Sequence, residues 1–269
     1  MTSRAVEQPM EAVDMSAMIG SAAQQAGLGG HRAAYPATMF PESRLKVGAA
    51  VTGVAVLLVL IGLATGTILL WAFAGIFAVV FGVRVARVAL LNRQKRGQQL
   101  HLYEQGLVCV GRNGQITVRR WDSSAVYQNI VRHYRNGAYT HTSYHYRLVD
   151  PAGHEIALAG GFARPTEWGQ AIQQAVTDAQ FPHAMATVRA GGAVRFGDIT
   201  LALHTVSASG KTVPWSQIQE IKVKDGRVSL RVEGRWLSLT TTMVRSIPNF
   251  FVFHALAERL RQAAAGPAR

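Results

Sequence analysis

The sequence holds an uncharged run of 37 residues, 47–83, bounded by Lys46 and Arg84. A single straight helix of that length would extend about 55 Å at about 1.5 Å per residue. A bilayer core is about 30 Å thick. The run therefore predicts two short membrane helices, back to back. The halves read VGAAVTGVAVLLVLIGL and TILLWAFAGIFAVVFGV, with Ala64-Thr65-Gly66 as the turn. Backbone polar groups must be paired in lipid, so both halves are expected to be helical. The second extends to Leu91 if Arg84 and Arg87 snorkel to the interface. Gly75 and Gly82, with Ala72, Ala74 and Ala78, are the residues expected to permit close helix contact. A signal peptide fits poorly, because its apolar region is short and near the N-terminus. A buried soluble hairpin would need apolar cover that the remaining chain is too polar to supply.

Lysine and arginine near the membrane ends set the expected orientation. Arg32, Arg44 and Lys46 precede the first helix; Arg84, Arg87, Arg93, Lys95 and Arg96 follow the second, and the turn has no charge. Both termini are therefore expected in the cytoplasm, in a multi-pass protein of the cell membrane. A single tilted pass is the competing arrangement; it would put basic clusters on opposite sides.

The net charge of +13 is uneven. Residues 1–46 are neutral overall, residues 84–98 carry five basic groups and no acidic one, and residues 183–269 carry twelve basic against five acidic. Basic residues beside a membrane attract anionic lipid, at about 1 kcal/mol each near the surface. The cluster Arg84, Arg87, Arg93, Lys95 and Arg96 is therefore the candidate contact with anionic head groups. A protein already at the membrane makes lipid the more economical partner than nucleic acid. The single cysteine, Cys109, excludes an intrachain disulfide and reads as a small hydrophobe in a strand.

Residues 1–46 are rich in Ala, Gly, Ser, Gln and Met and read as a mostly disordered tail, with helical potential at residues 15–25. After Gln98 the pattern becomes short alternating strands, in two successions of about 80 residues that each end in an amphipathic helix. The first helix opens at Pro165 and runs to about Ala179, with Trp168, Ile172 and Val176 on one stripe. The second follows Ser246-Ile247-Pro248 and groups Phe253, Leu256, Ala257 and Leu260, with Phe250 at its start. GQITVRRWDSSAVYQNI and GKTVPWSQIQEI share a glycine, a β-prone run, a tryptophan and a closing isoleucine. Trp121 and Trp215 are thus expected at equivalent core positions of a duplication. Each unit is read as one bent antiparallel sheet whose open end is plugged by its helix. In the last unit Val228, Leu230 and Val232 are expected to face inward beside an Asp225-Gly226 hairpin turn.

The segment Leu102-Tyr103-Glu104-Gln105-Gly106-Leu107-Val108, then a strand, a tryptophan, a polar segment and a helix, resembles bacterial membrane-tethered PH-like proteins, common in actinobacteria. Val213-Pro214-Trp215-Ser216-Gln217-Ile218 extends the likeness into the second unit, which lacks a counterpart of the LYEQGLV segment. The resemblance covers residues 99–264 and implies two tandem PH-like units (99–182 and 183–264). With the tail (1–46), transmembrane hairpin (47–91), basic linker (92–98) and short tail (265–269) read from the residues themselves, the chain is expected to be α+β. It implies no catalytic set.

Phosphate-loop, dinucleotide and nucleophile-elbow motifs are absent from the sequence; Gly160-Gly161 and Gly191-Gly192 read as ordinary turns. His141 and His145, with His133, are the one candidate metal set, but i,i+4 on a strand puts two side chains about 13 Å apart. No cofactor and no metal are expected. Glu104 and Asp122, beside Tyr103 and Trp121, read as cap or hairpin-edge groups. Arg132, Tyr134, Arg135, Tyr144 and Tyr146, on a hairpin turning near Asn136-Gly137, form a candidate recognition surface, because Tyr and Arg suit interfaces. The expected function is non-catalytic: a membrane-anchored binding or scaffold protein, whose ligand is a lipid or a membrane or cytoplasmic protein. The alternatives are an anionic-lipid-binding module and a subunit of a membrane enzyme or transporter complex. The lack of an ionisable residue across residues 47–83 argues against an ion path.

Overall fold

The structure, a computed structural model, describes residues 7–37, 42–95, 97–159, 161–234, 236 and 238–265. Arg96, Arg235 and residues 266–269 lie outside them, as does Gly160. The chain divides into two compact units. One comprises residues 36–98 with 110–115, and the other residues 1–35, 99–109 and 116–269.

In chain order the elements begin with helix α1 (Glu7–Gln25) and strand β1 (His31–Pro36), followed by the apolar helices α2 (Glu42–Thr65) and α3 (Ile68–Lys95). Then come β2 (Gln99–Tyr103), β3 (Gly106–Val110), β4 (Ile116–Arg120), β5 (Ala125–Arg135), β6 (Ala138–Val149), β7 (Glu155–Ala159) and α4 (Pro165–Arg189). The remainder is β8 (Ala193–Phe196), β9 (Ile199–Ala202), β10 (Thr205–Ala208), β11 (Lys211–Pro214), β12 (Ile218–Lys224), β13 (Arg227–Val232), β14 (Thr240–Met243) and α5 (Phe250–Ala265).

The apolar run folds as two helices, with stretches Lys46–Thr65 and Ala72–Arg93 long and apolar enough to cross a membrane. Only 11% and 6% of these stretches is buried, so protein does not cover their apolar surface and they fit a membrane hairpin. Gly66, at φ 71°, ends α2, and the Thr67 N–H donates to the Gly62 carbonyl. Close approach does not occur at Gly75, where an added Cβ would meet nothing. It occurs at Gly48, where a Cβ would lie 2.6 Å from Val85. Ala55 and Ala74 are also buried.

The rest forms two successions of the same elements. Sheets β1-β2-β3-β4 and β5-β6-β7 precede α4; sheets β8-β9-β10-β11 and β12-β13-β14 precede α5. Each repeat therefore has two separate sheets where the sequence suggests one bent sheet, and among the described residues no closed sandwich is seen. The break falls at the tryptophan. Trp121 follows β4 and Trp215 follows β11, each 1% exposed, and each turns the chain inward. One continuous apolar core runs through both repeats, including Trp168, Ile172 and Val176 of α4, Val228, Leu230 and Val232 of β13, and Phe253 and Leu256 of α5.

Two boundaries move. The tail is not mostly disordered: residues 7–25 are α1 and residues 31–36 are the first strand of the first repeat. Helix α1 stops in a paired C-terminal bond pattern. The Gly27 N–H donates to Gln24 and the Leu28 N–H to Ala23, with Leu28 fully buried. The Glu104 N–H donates to Gly30 and the Ala37 N–H to Gln98, so β1 and β2 run antiparallel. The apolar helical hairpin is thus an insertion in the β1–β2 connection. The equivalent β8–β9 connection is only Gly197-Asp198. Helix α4 also continues past Ala179 and Pro182 to Arg189, because Ala184 and Val188 extend its buried stripe. The second repeat therefore begins at Ala193. Its counterpart of the LYEQGLV segment is present in place, as the β9–β10 connection around His204.

Candidate recognition groove

Strands β5 and β6 are far longer than β7, which pairs only with residues 145–149 of β6. Their outer part projects as a two-stranded blade. Asn136 (φ 51°) and Gly137 (φ 80°) make its turn, the left-handed pair that a tight hairpin requires. Alternation puts Gln128, Ile130, Arg132 and Tyr134 on one face of β5, opposite Tyr146, Tyr144, Thr142 and Tyr139 of β6.

That face, with α4 and Phe251, borders a groove of about 540 Å³. Arg132, Tyr134, Tyr144 and Tyr146 all line it. Arg135, opposite Ala138 at the exposed tip, does not. The lining that sequence reasoning missed is Ile130 and Thr142 on the blade and, from α4 and α5, Thr166, Gln170, Gln173 and Phe251. Pairing across the tertiary fold leaves no local mark, and the amphipathic stripe of α4 points to its buried side instead.

The groove floor is buried and hydrogen-bonded. Tyr146 is 2% exposed, and its hydroxyl accepts from Gln173 Nε2 at 2.6 Å. The same amide donates to Gln128 Oε1 at 2.9 Å. Burial drives the Tyr146 phenol well above its ordinary pKa, so it stays protonated. Its ring lies edge-on to Trp168 at 5.3 Å. Gly169 of α4 is needed here, since a Cβ would sit 2.8 Å from the Tyr146 hydroxyl. The walls are wetter. The Tyr144 hydroxyl bonds Thr166 Oγ1 at 3.0 Å and that of Tyr139 bonds Thr142 Oγ1 at 3.0 Å. Among the described residues, Arg132 is the only charged one lining the groove. Aromatic faces, hydroxyls and one guanidinium suit recognition of a polar or anionic group with an apolar part.

Arg84, Arg87 and Arg93 are exposed on α3, and Lys95 is half-buried. At about 100° per residue, Arg84, Arg87 and Lys95 share one side of the helix and Arg93 lies opposite.

The other candidates have structural roles. Glu104 accepts from the Gly30 N–H at 3.1 Å. Asp122 holds Arg120 in a two-pronged pair, and Arg120 Nη1 donates to the Ala26 carbonyl at the end of α1. That pairing holds the Asp122 carboxyl below its ordinary pKa. Burial pushes the Cys109 thiol up to about 11, which leaves it unreactive at neutral pH. His133 and His141 stack with ring centroids 4.4 Å apart. Among the described residues, no three His, Cys, Asp or Glu side chains group to hold a metal ion.

The chain belongs to a family of unknown function, DUF6585, which matches residues 8–265. No curated protein and no solved structure matches it.

Proposed function

We propose that this member of the DUF6585 family is a non-catalytic, membrane-anchored binding protein that presents two PH-like units at the cytoplasmic face. The observation that carries this reading is the groove between the β5–β6 blade and α4, where Arg132, Tyr134 and Tyr144 converge over a hydrogen-bonded floor of Tyr146 and Gln173. The PH-like reading of each repeat is supported by its order of four strands, three strands and a helix, repeated twice. The multi-pass reading is supported by β1 and β2. They pair in one sheet although the membrane segment lies between them, and a single pass would part them. Cytoplasmic placement of that sheet follows from the basic residues flanking the hairpin. Exposed Arg84, Arg87 and Arg93 favour a second contact, with anionic head groups.

The test is recovery of tagged full-length protein from gently solubilised membranes, with mass spectrometry of bound lipids and proteins. Wild type should retain a ligand that the Arg132→Ala and Tyr144→Ala variants lose. The same ligands on wild type and both variants would contradict the groove.

A further inference from the structure

Strand β5 has a second open feature, its outer edge. The Val126 N–H donates to Asn249 Oδ1 at 2.7 Å, and the Val126 carbonyl accepts from the Asn249 N–H at 2.8 Å. Both backbone groups of Val126 therefore point away from β6. In an antiparallel ladder that direction recurs at every second residue. The register with β6 is unbroken from Ala125 to His133. The N–H and carbonyl groups of Gln128, Ile130 and Arg132 thus point to the same side. Among the described residues they have no partner there.

Beside this edge lies an open groove of about 760 Å³, which shares Ile130, Arg132 and Tyr134 with the tyrosine groove but is otherwise lined by β5 and by residues 225–227 and 243–245 of the second repeat. Its other wall comes from the β12–β13 turn with Asp225 and Arg227, from Met243 at the end of β14, and from Val244 and Arg245 in the single helical turn Val244–Ser246 that follows and approaches β5. Arg132, Arg227 and Arg245 are exposed, against the single acid Asp225. None of the three arginines has an ion pair among the described residues. Ile130, Val131 and Met243 expose 43%, 39% and 40% of their surface here, a large share for apolar side chains.

We propose that this groove docks an extended acidic segment of a partner protein, which adds to β5 as a further strand. Asn249 already makes the first rung of that ladder and marks its inner end. The next three rungs fall at Gln128, Ile130 and Arg132. Backbone bonds hold the segment, its acidic side chains meet the three arginines, and its apolar side chains cover Ile130 and Met243. A second copy of this chain pairing edge to edge would crowd two sets of arginines into one groove. An anionic head group would satisfy the arginines but leave the row of amides unmet. The proposal goes beyond the tyrosine groove: the two share Ile130, Arg132 and Tyr134, whereas Arg227 and Arg245 border this groove alone.

The test uses full-length protein in nanodiscs of zwitterionic lipid and a fluorescent peptide of alternating glutamate and valine. Saturable binding is expected, weakened by about tenfold or more in Arg227→Glu or Arg245→Glu. Binding should vanish when alternate peptide amides are N-methylated. Hydrogen exchange at Gln128, Ile130 and Arg132 should slow with peptide bound. Tyr144→Ala should leave the affinity unchanged, which separates this site from the tyrosine groove. Ile130→Pro removes one outward N–H at an edge position where proline is tolerated, and should weaken binding. No saturable binding would overturn the proposal. So would binding indifferent to N-methylation, or arginine-dependent binding to phosphatidylserine vesicles with no protection of the three amides.

Discussion

Trp121 and Trp215 hold the same place in two copies of one motif. The Trp121 indole donates to the Tyr103 carbonyl at 3.2 Å, and the Trp215 indole to the Ala202 carbonyl at 2.9 Å. Tyr103 ends β2 and Ala202 ends β9. The backbone repeats the match: the Trp121 N–H donates to Gln105 and the Trp215 N–H to His204. Each tryptophan fixes the exit from a four-stranded sheet. Replacing either with Ala should cost about 3–5 kcal/mol. Thermal unfolding of the detergent-solubilised protein checks this. Similar losses at both positions are expected, and Trp→Phe should cost less because it keeps most of the bulk.

The insertion of the hairpin between β1 and β2 makes it removable. The Ala37 N–H donates to the Gln98 carbonyl, so the chain leaves and re-enters the sheet at one point. Replacing residues 38–97 with a short glycine-aspartate turn, as in the β8–β9 connection, should give a soluble folded protein. A fragment starting at residue 99 lacks α1 and β1 and should be unstable. Circular dichroism and limited proteolysis of the two distinguish them.

This arrangement was only partly legible in the sequence. The hairpin stood out because 37 uncharged residues have few other uses. The tryptophan match was visible because both copies keep a glycine, a strand and an indole in order. Strand β1 was hidden: HRAAYP has little strand character, and its partner lies across the whole membrane segment. The reach of α4 was hidden because Pro182 reads as a break, yet Ala184 and Val188 pack on the core and hold the helix through it. Four groove residues were readable as a tyrosine-rich hairpin. Their partners on α4 and α5 were set by tertiary packing alone.

Asn249 joins the repeats. Besides its two bonds to Val126, its Nδ2 donates to Gln180 Oε1 at 2.7 Å, and Gln180 Nε2 donates to the Trp121 and Ser124 carbonyls. Its φ of 49° suits Asn. Asn249→Ala should cost about 2 kcal/mol, from lost hydrogen bonds and a left-handed backbone. Asn249→Gly relieves the backbone but not the bonds. A melting temperature for Ala below that for Gly, with both below wild type, is the expected order.

His101 should make stability fall in acid. Burial, and then the neighbouring His31, hold its pKa below the ordinary histidine value. Its ring contacts are His31 at 3.2 Å and Gln99 Oε1 at 2.9 Å, with Tyr103 edge-on to His31. The unfolded chain binds the proton more readily, so this contribution is full above the ordinary value and is lost as the pH falls through the depressed one. Stability should therefore drop below about pH 6.5, and less steeply in His101→Gln. A pH series of melting temperatures for both proteins checks the sign.

The central claim is that the chain crosses the membrane twice and keeps both repeats on one, cytoplasmic side. Cysteine labelling in intact cells tests it most directly, in a Cys109→Ala background with single cysteines at Ser21, Thr67 and Ser238. A membrane-impermeant maleimide applied outside should label Thr67→Cys alone, and permeabilisation should expose Ser21→Cys and Ser238→Cys. Outside labelling of only one of Ser21→Cys and Ser238→Cys would contradict the hairpin, and outside labelling of both would place the repeats on the opposite face.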